Sequence, residues 1–414
     1  MAADSAVTIQ AGSKEEKIFD TADKLFELSN SNAIGVMVYN GMSFMEAPLP
    51  SLIRQFRTEC ANVERVEQAA EKFLGFLNEF AQSSPQRVQE DAVRRIVIPV
   101  LSQIKNRYVG QIQRGIAEGD WSPDQLQENL SKALDNEISL FTRIYKAAGD
   151  AKFVGGKKPV LTANRVDLLQ EIIAAEIPIA NDGQKKNLLA IARLAVSSVR
   201  LSQARTGIVV AGFGAGDLFP TLVSYEIDGS VFGRLKYVET NLVNIDRDGH
   251  KARVLPFAQK EMVERFLYGL DEDIEREVTL FCKRMIPIIS DEILTRLKFD
   301  DPEDLERMKE DAKRAEHAFS EALKEKAFEE IRPNSREEIE DMVEFMPKPE
   351  MAKMAEALIN LTSIKRRVSR GMETVGGPID VAVISQSEGF VWVRRKHYFP
   401  EELNSRYFKR MRST

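Results

Sequence analysis

Near the end of the chain, Ile379, Val381 and Val383 alternate with Asp380, Ala382 and Ile384, and Gln386-Ser-Glu-Gly389 then leads into Phe390-Val-Trp-Val393. Two β-branched and aromatic runs around a short polar turn predict a β-hairpin. Its first run is mostly apolar, so it is expected to be covered on both faces and to lie centrally in a sheet. Strand signals also open the chain, at residues 1–9, 17–19 with 24–28, and 33–39. A polar loop is expected over 10–16, and Asn30-Ser-Asn32 marks a turn. A third group of strands falls in the middle, at 207–214, 220–229 and 233–238.

Between these groups the apolar period changes to that of a helix. Leu52, Phe56, Val63 and Val66 fall at helical spacing, as do positions within 88–109, 123–147, 168–177 and 185–204. Ser122-Pro123 reads as a helix start, Gly149 as a stop, and 152–159 as a loop or extended stretch. From 255 to 370 the pattern is again helical and highly charged. Over 303–326 carboxylates and bases stand at i, i+4 separations, the signature of a solvated or partner-contacting face rather than a metal site. Pro333-Asn334-Ser335 offers caps for a short helix, and Pro347-Lys348-Pro349 a break before a last helix over 355–370. The run Gly212-Phe-Gly-Ala-Gly216 lies between strands. A phosphate cradle needs a helix N-terminus after its glycines, so this run reads as a turn.

Because the β segments are split between the two ends and the middle, the chain reads as one domain, 1–414. Helical segments at 48–205 and 255–370 would each include an insertion. Composition narrows the functional classes. The net charge of −6 argues against a general nucleic-acid binder, whose affinity rests on an excess of Lys and Arg. No run of about 18 apolar residues is present to span a bilayer, and the start reads without a leader peptide. Cys60 and Cys282 stand far apart, which suits a reducing compartment, and a cytoplasmic protein is expected. His250, His317 and His397 lack ligand spacing, so neither a metal nor a cofactor is expected. The tail carries Arg406, Lys409, Arg410 and Arg412 around Tyr407 and Phe408 and reads as a frayed surface segment.

Three stretches carry a resemblance. Thr-Val-Gly-Gly-Pro-Ile-Asp-Val-Ala-Val-Ile (374–384), followed by Glu388-Gly389-Phe390 and a second strand, resembles the end of archaeal-type proteasome β-subunits. Asp4, Lys24 within Lys24-Leu-Phe-Glu-Leu28, and Gly41, expected to open a helix, resemble the family's early strands. The gap between Asp4 and Lys24 is a few residues longer here. Pro220-Thr-Leu-Val-Ser-Tyr-Glu-Ile-Asp-Gly229, after a glycine-rich loop, is similar to a third family stretch. The resemblance implies the N-terminal-nucleophile hydrolase fold, an α+β four-layer αββα sandwich of antiparallel sheets, here with large helical insertions. It further implies a Thr, Ser or Cys nucleophile whose own α-amine serves as base. Lys24 would lower the nucleophile's pKa, Asp4 would hold Lys24, and a backbone N–H between Val38 and Gly41 would face the oxyanion.

The sequence departs from the family in two places. It starts inside the family's second strand, so an extension upstream by about one strand and a turn, on the order of 10–20 residues, is expected. Met372 and Val375 stand where the family has the Asp and Ser that support the amine. Two readings follow. One is a proteasome-like amide or peptide hydrolase acting on polypeptide or amide substrates. The other is a catalytically silent sandwich that serves as an assembly or partner-binding module. Either is expected to form a homo-oligomer through helical layers and to bind neither nucleic acid nor membrane.

Overall fold

The computed structural model describes the chain except residues 12–14, 61, 118–125, 247–248, 250, 298–300, 369–375 and 413–414. It is 57% helical and 17% strand, with helices and antiparallel sheet, which makes the protein α+β. The strands at the start are β1 (Ala2–Ala3), β2 (Val7–Ala11), β3 (Glu15–Phe19), β4 (Leu25–Glu27), β5 (Ile34–Asn40), β6 (Ser43–Phe44) and β7 (Ala47–Pro48). Helices α1 (Leu49–Glu59), α2 (Val66–Ser83), α3 (Gln86–Ala117) and α4 (Leu126–Ala147), strand β8 (Lys152–Phe153), and helices α5 (Ala163–Glu176) and α6 (Asp182–Ser197) come next. Strands β9 (Thr206–Gly212), β10 (Thr221–Val231) and β11 (Arg234–Asn244) form the middle group. Helices α7 (Glu261–Tyr268), α8 (Glu272–Arg296), α9 (Pro302–Ala322), α10 (Glu329–Glu344) and α11 (Lys348–Val368) lead to β12 (Asp380–Ser385), β13 (Gly389–Arg394) and α12 (Ser405–Arg412).

The chain divides into two compact units. The first comprises Met1, Ala22–Asn244 and Ala382–Trp392, and the second Ala2–Thr21, Ile245–Val381 and Val393–Thr414. The first is organised on a six-stranded antiparallel sheet in the order β4-β5-β9-β10-β11-β8. Period-two alternation sends Ile34, Val36 and Val38 of β5, Ile208 and Val210 of β9, and Val223, Tyr225 and Ile227 of β10 to one face. Against that face α1 lays Leu49, Leu52, Ile53 and Phe56, a one-sided i, i+3, i+4, i+7 stripe. Phe73 of α2 is fully buried, with its ring centroid 5.0 Å from that of Phe56. A second core joins α3, α4, α5 and α6 through residues such as Leu101, Ile104, Leu134, Leu169 and Leu188. The start of α6 is fixed by a reciprocal capping box between Asn181 and Gln184.

The opposite sheet face carries a close approach. A Cβ built on Gly35 would stand 2.7 Å from Ile384 Cδ1 and 2.8 Å from the Phe390 ring, so only glycine lets the β12–β13 hairpin lie this close to β5.

In the second unit Ala2 and Ala3 pair with Val381 and Asp380, and β2 pairs with β3. Its apolar core is small, built from Val263 and Leu267 of α7 and Leu358 of α11. The hairpin of β12 and β13 is as expected, and β12 is the middle strand of the order β1-β12-β13.

Several sequence expectations need correction. Gly41 does not open a helix, because the short β6 and β7 intervene before α1. Positions 52–66 are not one helix but the end of α1, a break, and the start of α2. The helix expected to reach residue 204 stops at Ser197. The loop expected over 10–16 is narrowed by β2 and β3. Pro333 lies inside α10 instead of heading a new helix; a π-helical turn at Leu323–Phe328 just before α10 has already changed the hydrogen-bond register there. The tail is helical as α12, and Tyr407 and Phe408 pack edge to face on His397, with the Phe399 ring tilted against it. The Ser122-Pro123 start, His250, Met372 and Val375 lie outside the described residues.

Candidate functional site

Lys24 stands half-buried immediately before β4, which the buried Leu25 anchors in the first unit. Its carbonyl accepts the Val38 N–H at 2.8 Å and so extends the β4–β5 ladder by one rung. The Val38 amide is thereby engaged as a ladder donor. Beyond it the chain turns at Asn40, whose φ of 62° is a left-handed value that asparagine tolerates. Gly41 packs against β9, since a Cβ there would fall 2.2 Å from Thr206 Oγ1.

Asp4 belongs to the second unit. Its Oδ2 accepts the N–H groups of Ala6 and Gly376, each at 3.2 Å. Ser5 N–H donates to the Gly376 carbonyl at 3.1 Å, and Ser5 Oγ donates to the Pro378 carbonyl. Asp4 and Ser5 therefore fasten the Gly-Gly-Pro approach to β12. Of the four residues named from the sequence, Lys24, Val38 and Gly41 share the first unit and Asp4 falls in the second.

The sheet of the first unit brings together polar residues that sequence reasoning missed. Ser224, Glu226 and Asp228 stand two apart in β10, opposite in face to Val223, Tyr225 and Ile227. Tyr39 Oη donates to Glu226 Oε1 at 3.3 Å, and Arg205 Nε donates to Glu226 Oε2 at 2.8 Å. The Tyr39 ring lies directly over Gly207, where a Cβ would meet it at 2.0 Å. Burial, and then the Glu226 charge, push the Tyr39 phenol far above its usual range, so it stays a hydrogen-bond donor. Ser224 Oγ and Thr240 Oγ1 lie 2.7 Å apart, and Asn241 Nδ2 donates to Ser224 Oγ at 2.9 Å. The period-two spacing of three polar residues in Ser-Tyr-Glu-Ile-Asp is the signal that could have shown this face.

Further along the same strands, the Lys236 and Asp228 side chains are both fully buried. Lys236 Nζ places its three donors on Ala195 O at 3.1 Å, Arg200 O at 3.3 Å and Asp228 Oδ2 at 3.2 Å. Asp228 Oδ1 accepts from both the N–H and the hydroxyl of Ser202. Burial lowers the Lys236 pKa, opposed by the Asp228 charge. With every donor satisfied, the pair clamps the segment between α6 and β9 onto the β10–β11 hairpin rather than offering a reactive amine.

Among the described residues, no group of three His, Cys, Asp or Glu is placed to hold a metal ion, and no helix is long and apolar enough to cross a membrane. Comparison with protein-family models, with curated proteins and with solved structures yields no match.

Proposed function

We propose that this chain is a proteasome β-subunit-like member of the N-terminal-nucleophile hydrolase superfamily, an amide or peptide hydrolase of the cytoplasm on a four-layer αββα sandwich. The observation that carries the reading is the placement of the stretch that most resembles the family. The β12–β13 hairpin approaches the Gly35 face of the six-stranded antiparallel sheet, while α1 and α2 cover the other face. Within the first unit, helices on one face of the sheet and the hairpin residues 382–392 on the other support three of the four layers. In this reading Lys24 supplies a positive charge beside the nucleophile, Asp4 holds Lys24 in place, and a backbone N–H between Val38 and Gly41 faces the developing oxyanion. The partner is a second copy of the chain, and the substrate is a polypeptide or amide.

A second reading, a catalytically silent assembly or partner-binding module, draws on a different observation. The Val38 N–H is taken by the Lys24 carbonyl, and Asp4 accepts two backbone amides; both arrangements serve a structural role without chemistry.

A panel of fluorogenic peptide amides separates the two. Hydrolysis by the wild type, abolished in Lys24→Ala with an unchanged thermal melt, is the expected result, because Lys24 acts through charge rather than packing. A Lys24→Ala protein that loses its fold without a specific rate effect makes the residue structural. A well-folded wild type that cleaves nothing in the panel selects the silent module.

A further inference from the structure

We infer that α8 and α9 form an arm that swings as one body on a hinge with two points, Gly269 before α8 and the π-helical turn at Leu323–Phe328 after α9. The inference is independent of the hydrolase reading. Among the described residues of α8 and α9 none is buried, and the two helices pack chiefly on each other and on the π-helical turn. Burial begins only where the arm meets its base: Asp271, the N-cap of α8, is fully buried, and Phe328 is 6% exposed. The base is held differently. Val263 and Leu267 of α7 and Leu358 of α11 share a core against which Ile339 of α10 packs. Glu340 of α10 accepts from Arg336 at 2.8 Å and from Arg253 at 3.3 Å. The arm therefore owes its position to its two ends and not to a buried face.

Both ends are weak points of the backbone. Only Gly269 and Leu270 separate the last residue of α7 from the N-cap of α8. Gly269 has a φ of 66° and donates to the Arg265 carbonyl at 3.1 Å; a Cβ there would meet nothing, so conformation and not crowding calls for glycine. At the other end α9, the π-helical turn and α10 run on as one helix over 302–344. Hydrogen bonds in the turn reach five residues instead of four, a rare register that recurs at functional sites. Pro333 lies four residues after Glu329, the first residue of α10, and with no N–H it leaves that carbonyl without its helical donor. The ladder is thus weakened twice within 323–333, and helices bend at such places. With 25 and 21 residues, α8 and α9 extend about 30 Å from the hinge. A bend of about 20° there displaces the far end by about 10 Å.

The test measures distances between spin labels by double electron–electron resonance in the full chain, on a Cys60→Ala, Cys282→Ala background. One pair joins the far end of the arm to the base, Glu306→Cys on α9 with Lys353→Cys on α11. The other lies within the arm, Arg276→Cys on α8 with Glu306→Cys, and all three labelled positions are exposed. The arm-to-base distance is expected to spread over about 10 Å, and the within-arm distance to be narrow. Pro333→Ala returns the missing N–H and is expected to narrow the arm-to-base spread. Lys324→Gly with Lys326→Gly, at exposed positions of the π-helical turn, is expected to widen it. Neither should alter the within-arm distance, which also reports that the arm is folded. An arm-to-base distance as narrow as the within-arm one overturns the inference, as does a spread that neither set of substitutions changes. A within-arm distance as broad as the arm-to-base one overturns it too, because the two helices would then move separately.

Discussion

The two compact units use helices of comparable length for opposite ends. In the first, α2 sinks Phe73, Leu74 and Leu77 into a core shared with the six-stranded sheet, and α3 buries Leu101 and Ile104 in a second core among α4, α5 and α6. In the second, α8 is longer than α2, yet its apolar side chains are half-buried or exposed, and a small core of described residues forms around Val263 and Leu267 of α7 and Leu358 of α11. The difference lies in what each helix meets. A sheet offers a broad apolar face wide enough to cover a helix stripe, whereas one charged neighbouring helix covers only part of it. The first unit thus keeps most of its apolar side chains inside its cores, and the second leaves more of its own at the surface.

The sharpest way to break this comparison is at the buried ion pair of the first unit. Asp228→Ala leaves the Lys236 ammonium buried without a counter-charge and should cost about 3–5 kcal/mol. The joint replacement Asp228→Leu with Lys236→Met should recover most of that loss, because neither desolvated charge remains. Urea denaturation of the two variants checks both values, and a single substitution that proves silent would show the clamp to be dispensable.

A smaller effect is expected in the second unit. Leu267→Ala removes a side chain that is only 1% exposed, but it sits in a core of few residues that can collapse around the gap. The expected cost is about 2–3 kcal/mol, the lower part of the range for Leu→Ala. Hydrogen exchange should show faster opening of α7 and α11, with protection of β9 and β10 unchanged.

The smallest effect concerns the start of α8. Asp271 is its N-cap and accepts the Ile274 N–H at 2.9 Å, with Arg265 beside it. Burial alone would raise its carboxyl pKa, but the Ile274 and Arg265 hydrogen bonds and the Arg265 charge together hold it below the usual 3.8. A depressed folded-state value means that the stabilisation is complete above the unfolded value and is lost as pH falls through the folded one. Asp271→Asn keeps a capping oxygen and removes the charge, so it should cost about 1 kcal/mol at pH 7. The gap between wild type and variant in urea midpoint should close as pH falls below about 4. A gap independent of pH would show that the carboxylate charge contributes nothing.

Much of the fold is legible in the sequence because its signals are local. Period-two alternation in Ile379 to Ile384 and in Val223 to Ile227 marks strands whatever they pair with, and the stripe of Leu49, Leu52, Ile53 and Phe56 marks a helix before its partner is known. The turn at Gly212 to Gly216 likewise follows from what surrounds it, as β10 confirms. Lys24 and Gly41 could be singled out as residues, but the use made of their backbone could not. That Lys24 gives its carbonyl to Val38 depends on the antiparallel register of β4 and β5, which no single-strand pattern contains.

Taken alone, the amino-acid sequence determined the alternation of β and helical segments, the central character of the last hairpin's first strand, and the turn between strands at the glycine-rich run. Tertiary structure decided the rest, because each outcome depends on residues far apart in the chain. It brought Arg205 and Tyr39 onto Glu226, closed Lys236 over carbonyls of Ala195 and Arg200, and carried α10 through Pro333. It also decided which amphipathic helices are covered. The stripes of α1 and α8 both follow helical spacing, and only the presence of a sheet beneath the first separates a core helix from an exposed one.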